Sequence, residues 1–319
     1  MFSVNKEAMK IVKKIIRNKE VLNVGVVTLK NGSTVIDMGI NYPGGWKAAQ
    51  YLTEIAMGGL GLLNYGIYRL GELELPQINI YADKPVIACL SCQLSGWALP
   101  EFKNDAGIVP LISGPVRAIV KEDKFAKPFS YQDKSEKVVV VLQDKVLPGE
   151  ELTAYIAKKC KVEPKGVVIL VAPTGSLVGL VNVIARTLET SMWRLHELGF
   201  DVNNVISAWG RAPLPPISKD EYTAMIRANT YIYYGGTAGF VVNCKDEDIE
   251  RIIEDITLSP KTTKQYGIPF GKLLEEAGGN IFNMTEFCHN VTKVNFYNSF
   301  TGNTFVYGKN DQKMLLECL

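Results

Sequence analysis

VVILVAPTGSLVGLVNVIARTLETSMWRLHELG, residues 167–199, carries the pattern that decides the fold class. Val167–Val171 is an unbroken apolar run closed by Pro173 and Gly175, which predicts a strand buried on both faces. From Leu177 the period changes. Leu177, Val181, Ile184, Leu188, Met192 and Leu195 recur at helical spacing and form one apolar stripe. At the helical repeat this segment runs for about six turns. Strand, tight turn and helix in that order make one α/β layer.

The same order extends outward on both sides. Upstream lie a second buried run, VVVVL (138–142), and the helical EELTAYIAKKC (150–160). Downstream come the strand NVISAW (204–209), the turn GRAPLPP and the helical KDEYTAMIRANT (219–230). Two hairpins add antiparallel pairs. In LNVGVVTLKNGSTVIDMGI (22–40), β-branched runs flank Asn31-Gly32, which predicts a tight primed turn. Near the end, KVNFYNSF and NTFVYGK flank Thr301-Gly302. The expected fold class is therefore α/β (α+β) with mixed sheets. At 319 residues the chain is long for one core, so two domains are expected. The charged stretch KEDKFAKPFSYQDKSEK (121–137) breaks both periodicities and is the linker candidate. It divides the chain into domains 1–125 and 126–319, with the C-terminal hairpin a candidate to return to the first.

Composition excludes several classes. With 47% hydrophobic and 21% charged residues the chain is typical of a soluble globular protein. A formal charge of +2 supplies no basic stripe, so nucleic acid is not an expected partner. No stretch approaches the roughly 18 uninterrupted apolar residues of a membrane span. The N-terminal segment is amphipathic, with Ile11, Val12 and Ile15 on one face, and lacks the form of a secretory signal. A cytoplasmic protein is expected. Six cysteines in a chain of this kind predict no disulfide framework. Cys89 and Cys92 form a CxxC inside an apolar run, away from the helix start that would lower a thiol pKa. A zinc site would need two more ligands, and only Cys288 and His289 offer themselves. Buried core thiols and no metal are the expectation.

Glycine-rich turns recur: PGGW at 43, MGGLG at 57, SGPVR at 113, PTGS at 173 and YGGTAG at 234. None has the spacing of a phosphate-binding P-loop or a dinucleotide fingerprint. PTGS follows a buried strand and precedes a helix, where backbone amides can meet an anion; the alternative is that its glycine only permits the turn.

The helix of 177–199 carries one anomaly. Asn182, Arg186, Glu189, Trp193 and His196 share a sector away from the apolar stripe. An exposed Arg–Glu pair at i,i+3 is an ordinary surface feature worth about 0.2–0.5 kcal/mol. Yet Val178, Gly179 and Val183 flank the sector and Trp193 shares it, which points to a covered wall.

These segments resemble the methenyltetrahydromethanopterin cyclohydrolases. The similarity lies in VAPTGSLVGLVNVIARTLETSMWRLHELGFDV, in SVN…NGSTVIDMGI…GGW…MGGLG, in SGPVRA and in APLPP…YGGT, spanning residue 3 to near the C-terminus. Residues 121–137 match no family motif. The resemblance implies a hydrolase of one-carbon metabolism that interconverts 5,10-methenyltetrahydromethanopterin plus water with the 5-formyl compound. It implies two α/β domains with a large cleft between them, a homotrimer, and neither metal nor prosthetic group. It also implies that Arg186 and Glu189 activate water.

The chemistry agrees with that assignment. The methenyl carbon bridges two nitrogens in a cationic amidinium, so it is already electrophilic. What it lacks is a held water that can lose a proton. Glu189 as a carboxylate accepts that proton, and Arg186 orients the carboxylate and keeps it ionised. A pterin asks for apolar walls and a few amide hydrogen bonds, and its anionic tail suits Arg117, Arg211, lysines or glycine-turn amides. The candidate binding residues are Ser113, Gly114 and Arg117 of SGPVRA, Pro173, Thr174, Gly175 and Ser176 of PTGS, Asn182, and Tyr234, Gly235 and Gly236 of YGGT. Two other classes fit the same features: a non-catalytic pterin carrier, and a nucleotide-binding enzyme using the glycine turns.

Overall fold

Both unbroken apolar runs form strands, and every residue of each is buried. The computed structural model describes residues 2–103, 109–279, 283–284 and 290–319. In chain order the first elements are α1 (Val4–Arg17), β1 (Gly25–Thr28), β2 (Thr34–Asp37), α2 (Trp46–Ala56), β3 (Gly61–Leu70) and β4 (Leu73–Ala82). A π-helical stretch, Val86–Gln93, leads to β5 (Trp97–Ala98), β6 (Leu111–Ser113), α3 (Arg117–Val120), β7 (Val138–Leu142), α4 (Glu150–Cys160), β8 (Val167–Val171) and α5 (Leu177–Ile184). Then follow α6 (Arg186–Glu197), β9 (Val205–Pro213), α7 (Glu221–Gly235), β10 (Thr237–Val242) and α8 (Asp246–Glu250). The last are α9 (Phe270–Glu276), β11 (Lys293–Asn298), β12 (Thr304–Gly308) and α10 (Gln312–Leu316).

The chain folds as two compact units, Met1–Leu62 with Ile87–Val183, and Leu63–Val86 with Ile184–Leu319. Each holds a six-stranded sheet among the described residues, and both sheets are mixed, as expected. The first sheet runs β1-β2-β8-β7-β6-β5, with β2, β8 and β7 parallel and the rest antiparallel. Its apolar strands alternate sides. Val138, Val140, Leu142, Val167, Ile169 and Val171 share a core with Leu152, Ile156 and Cys160 of α4, while α1 and α2 pack along β7. Strands covered on both faces must be apolar throughout, which is why these two runs never alternate. The second sheet runs β12-β11-β10-β9-β4-β3, with β10 and β11 parallel, and α6 and α7 packed on β9.

Three expectations change in detail. The chain crosses between units at 62/63, 86/87 and 183/184, not at 125/126. Residues 121–137 belong inside the first unit because two of their aspartates are buried and paired. Asp133 Oδ2 accepts from Ser3 Oγ at 2.9 Å and from Asn5 N and Nδ2 at 2.9 and 2.8 Å, tying the segment to the start of α1. Phe125 and Phe129 bury their rings there as well. The hairpin β11–β12 stays in the second unit, since β11 pairs with β10 over six residues from Thr237↔Lys293 to Val242↔Asn298. Finally, the turn at Asn31-Gly32 has three residues rather than two. Leu29 N–H donates to Ser33 C=O at 2.9 Å, and Gly32 takes φ 85°, the left-handed position that such turns reserve for glycine.

Candidate functional site

Five of the six stripe residues of the long helix are buried, Leu177 at its start being half-buried, and most of its polar sector is buried too. Asn182, Glu189 and Trp193 are all buried, so this is no solvated helix face. The helix is interrupted for one residue, Ala185, and α6 restarts at Arg186. Arg186 Nη1 lies 3.4 Å from Glu189 Oε2, with side-chain exposures of 14% and 6%. That separation exceeds the usual charge-assisted hydrogen bond of roughly 2.7–2.9 Å, so the pair is in contact but not clamped. One turn on, the Trp193 and His196 rings lie 5.1 Å apart at 51°. The Glu189 carboxylate is shielded from water and has the Arg186 guanidinium beside it. In the other unit, at the foot of the same helical run, Asn182 Oδ1 is buried with no hydrogen-bond partner among the described residues.

The glycine-turn candidates behave differently. SGPVR is buried architecture. Arg117 is fully buried: Nε and Nη2 donate to Asp123 Oδ2 and Oδ1 at 3.1 and 2.6 Å, and Nη1 donates to the carbonyls of Leu90 and Cys92 at 3.1 and 3.3 Å. Its charge neutralises Asp123 and its Nη1 donors close the end of the π-helical stretch, and with no exposed surface its side chain is engaged inside the fold. Ser113 Oγ donates to Val141 C=O at 3.2 Å, and Gly114 has φ 93° with its N–H on Cys92 C=O. The same stretch buries Cys89 and Cys92, and burial pushes the Cys92 thiol well above its ordinary pKa. Cys288 and His289 lie outside the described residues.

PTGS serves mainly to launch α5. Ser176 Oγ donates to Pro173 C=O at 2.8 Å and accepts from Gly179 N at 3.0 Å, a helix N-cap. A side chain on Gly179 would meet Pro173 O at 1.9 Å, so only glycine admits that approach. Thr174 Oγ1 accepts from Gln143 Nε2 at 2.8 Å, and Gly175 is half-buried. Beside this turn Asp37 accepts from the amides of Gly39, Ile40 and Asn41, fixing the loop after β2. Both loops leave the C-terminal ends of parallel strands, the edge at which such sheets gather ligands.

YGGT is likewise internal. Tyr234 is fully buried; its hydroxyl accepts from Gly267 N at 3.0 Å, and burial pushes its pKa up to about 12. A Cβ on Gly235 would stand 3.0 Å from the Pro213 ring, and one on Gly236 would stand 2.2 Å from Ile232 O. Arg211 remains exposed on β9. The sequence singles out Arg186 and Glu189, which the structure brings into contact, and Asn182, which it buries. It does not single out Asp123, Asp37 or Gln143, the last of which has its partner, Thr174, in another segment. For Asp123 the signal was present: an acid six residues after Arg117 in a segment with two phenylalanines.

The comparisons with known proteins bear on the whole chain. The cyclohydrolase (MCH) family model matches residues 3–319. This chain belongs to that cyclohydrolase family. It is 36% identical to the methenyltetrahydromethanopterin cyclohydrolase of Methanocaldococcus jannaschii over 324 aligned positions, covering 100% of this chain and 98% of the relative. The enzyme of the same name from Methanothermobacter marburgensis is 34% identical, covering 99% of each chain. That of Methanococcoides burtonii is 32% identical, covering 99% of this chain and 98% of its own. The cyclohydrolase match thus includes α5, α6 and every glycine turn described above.

Proposed function

We propose that this hydrolase opens 5,10-methenyltetrahydromethanopterin to the 5-formyl compound, and closes it in reverse, with Arg186 and Glu189 activating water. The observation that carries this is a carboxylate and a guanidinium in contact on a buried helical sector, in a chain matched end to end by the cyclohydrolase family. In the forward direction the water oxygen bonds to the methenyl carbon while Glu189 takes its proton. The amidinium charge is thereby quenched, giving a neutral carbinol. One C–N bond then breaks: its nitrogen takes the proton held by Glu189, the carbinol O–H proton passes to the freed carboxylate and on to solvent, and the former water oxygen becomes the formyl carbonyl. Glu189 is the group able to shuttle that proton, and such general acid–base help is worth roughly 10²–10⁴ in rate. Arg186 holds the carboxylate and sits behind it, since an arginine facing a cationic substrate directly would be repelled. Arg211 replaces Arg117 as the basic group free to meet the anionic tail.

The substrate's own positive charge makes a Lewis acid unnecessary, so catalysis without metal or prosthetic group belongs to the proposal. So do a cytoplasmic location and a homotrimer, which the family resemblance supports. No helix among the described residues is long and apolar enough to cross a membrane. The test is to mix purified protein with methenyltetrahydromethanopterin and follow loss of the methenyl absorbance. Loss well above the spontaneous rate is expected. Tight binding with no such loss would replace the enzyme by a pterin carrier.

A further inference from the structure

We infer that Thr187 is a positioning residue for water activation, setting the start of α6 so that Arg186 and Glu189 face the reacting water. The inference rests on the role proposed for that pair. At about 100° per residue, Arg186 and Glu189 bracket one side of the helix, and Thr187 and Leu188 bracket the side opposite. Those two residues are where the helix meets its own sheet. Leu188 sits on Gly210 of β9, where an added Cβ would come within 3.0 Å of Leu188 Cβ and 3.1 Å of its nitrogen. Thr187 sits on Gly236, where an added Cβ would come within 3.0 Å of its Cγ2. Gly236 is itself held, its N–H donating to Ile232 C=O at 2.9 Å and its C=O accepting from Asn310 Nδ2 at 2.7 Å. The backbone between the pair is therefore seated on two glycines that present no side chain to yield.

The hydroxyl of Thr187 fixes the third direction. It is fully buried and donates to Ile184 C=O at 2.8 Å, across the one-residue interruption at Ala185. Back-bonding of this kind bends a helix locally and selects the rotamer of a β-branched side chain. Here it places the methyl on Gly236 and orients the first turn of α6. Arg186 and Glu189, 3.4 Å apart, both ride on this turn, so a small rotation of it re-aims the pair as a unit away from the reacting water.

The test compares Thr187→Val, which keeps the shape and loses the donor, with Thr187→Ser, which keeps the donor and loses the methyl. Misplacement near the reacting atoms costs up to about a hundredfold, so Thr187→Val should lose about ten- to a hundredfold in kcat with KM within about twofold. Thr187→Ser should recover kcat to within about threefold of the parent, because the hydroxyl remains. Should Thr187→Val not stay folded at the assay temperature, Thr187→Ala takes its place, with the same kcat loss expected relative to Thr187→Ser. An unchanged kcat without the hydroxyl overturns the inference, as does an equal fall with and without it, or a loss confined to KM. Glu189→Gln is assayed in parallel. If it keeps normal kcat, the proposed role of the pair has failed; if it is inactive while Thr187→Val is normal, only the positioning inference has.

Discussion

Arg117 shows how one buried charge can imitate a ligand group. Its guanidinium is fully enclosed and its salt bridge to Asp123 measures 2.6 Å, with side-chain exposures of 0% and 4%. Removing one partner of such a pair leaves the other charge buried alone, which costs about 3–5 kcal/mol. Arg117→Leu should therefore lower stability by about that amount in urea unfolding, with KM of whatever remains folded unchanged. Full stability combined with a raised KM would return Arg117 to the substrate. The distinction could not be drawn from sequence, because charge and spacing are the same whether an arginine meets an internal aspartate or an external anion. Arg186 and Glu189 were legible for the opposite reason. Both partners lie three apart on one helix, and periodicity alone places them together.

Among elements, the segment 121–137 and the C-terminal hairpin make separate predictions. Residues 121–137 are charged, yet Asp123, Asp133, Phe125 and Phe129 are buried. Limited trypsin digestion should therefore yield no early fragment pair divided at Lys124 or Lys127, whereas rapid nicking there would mark a true linker. The hairpin β11–β12 is clipped to α8: Asp246, the first residue of α8, accepts hydrogen bonds from Asn303 Nδ2 at 2.6 Å, Thr301 Oγ1 at 2.8 Å and Asn298 Nδ2 at 2.7 Å. These bonds, that of Asn303 foremost, hold its carboxyl below the ordinary 3.8. A carboxyl with a lowered folded-state pKa adds stability that is complete above its ordinary value and fades as pH falls through the folded one. The melting temperature of the parent should exceed that of Asp246→Ala at neutral pH, and the gap should close below pH 3.8. A gap that widens on acidification would contradict the clip. The buried strands β7 and β8 were plain in the sequence because nothing but apolar residues can be covered on both faces. The hairpin β3–β4 was not, since Asn64, Tyr65, Gly66 and Tyr68 blur its alternation. Its one clear mark is Gly71-Glu72, with Gly71 at φ 60° between the strands.

For the whole molecule, three outcomes belong together. The protein should scatter light as a trimer; a monodisperse monomer at micromolar concentration would remove that part of the proposal. Exhaustive chelation should leave kcat intact, because the amidinium carbon needs no Lewis acid, and loss of turnover restored by one metal would overturn it. The division of the chain at 183/184 falls near the end of α5, immediately before its last residue, Ile184, and just ahead of the interruption at Ala185. No composition shift marks that point, so sequence could give two domains but not where they divide. Catalysis by the whole chain is tested most directly by kcat for the parent and for Glu189→Gln in the same methenyl-absorbance assay, with melting temperatures alongside. An amide of the same shape cannot take a proton from water, so kcat should fall roughly 10²–10⁴-fold while fold and KM persist. A Glu189→Gln protein that turns over like its parent would contradict water activation by this pair and leave Arg186 and Glu189 as an ordinary helical ion pair.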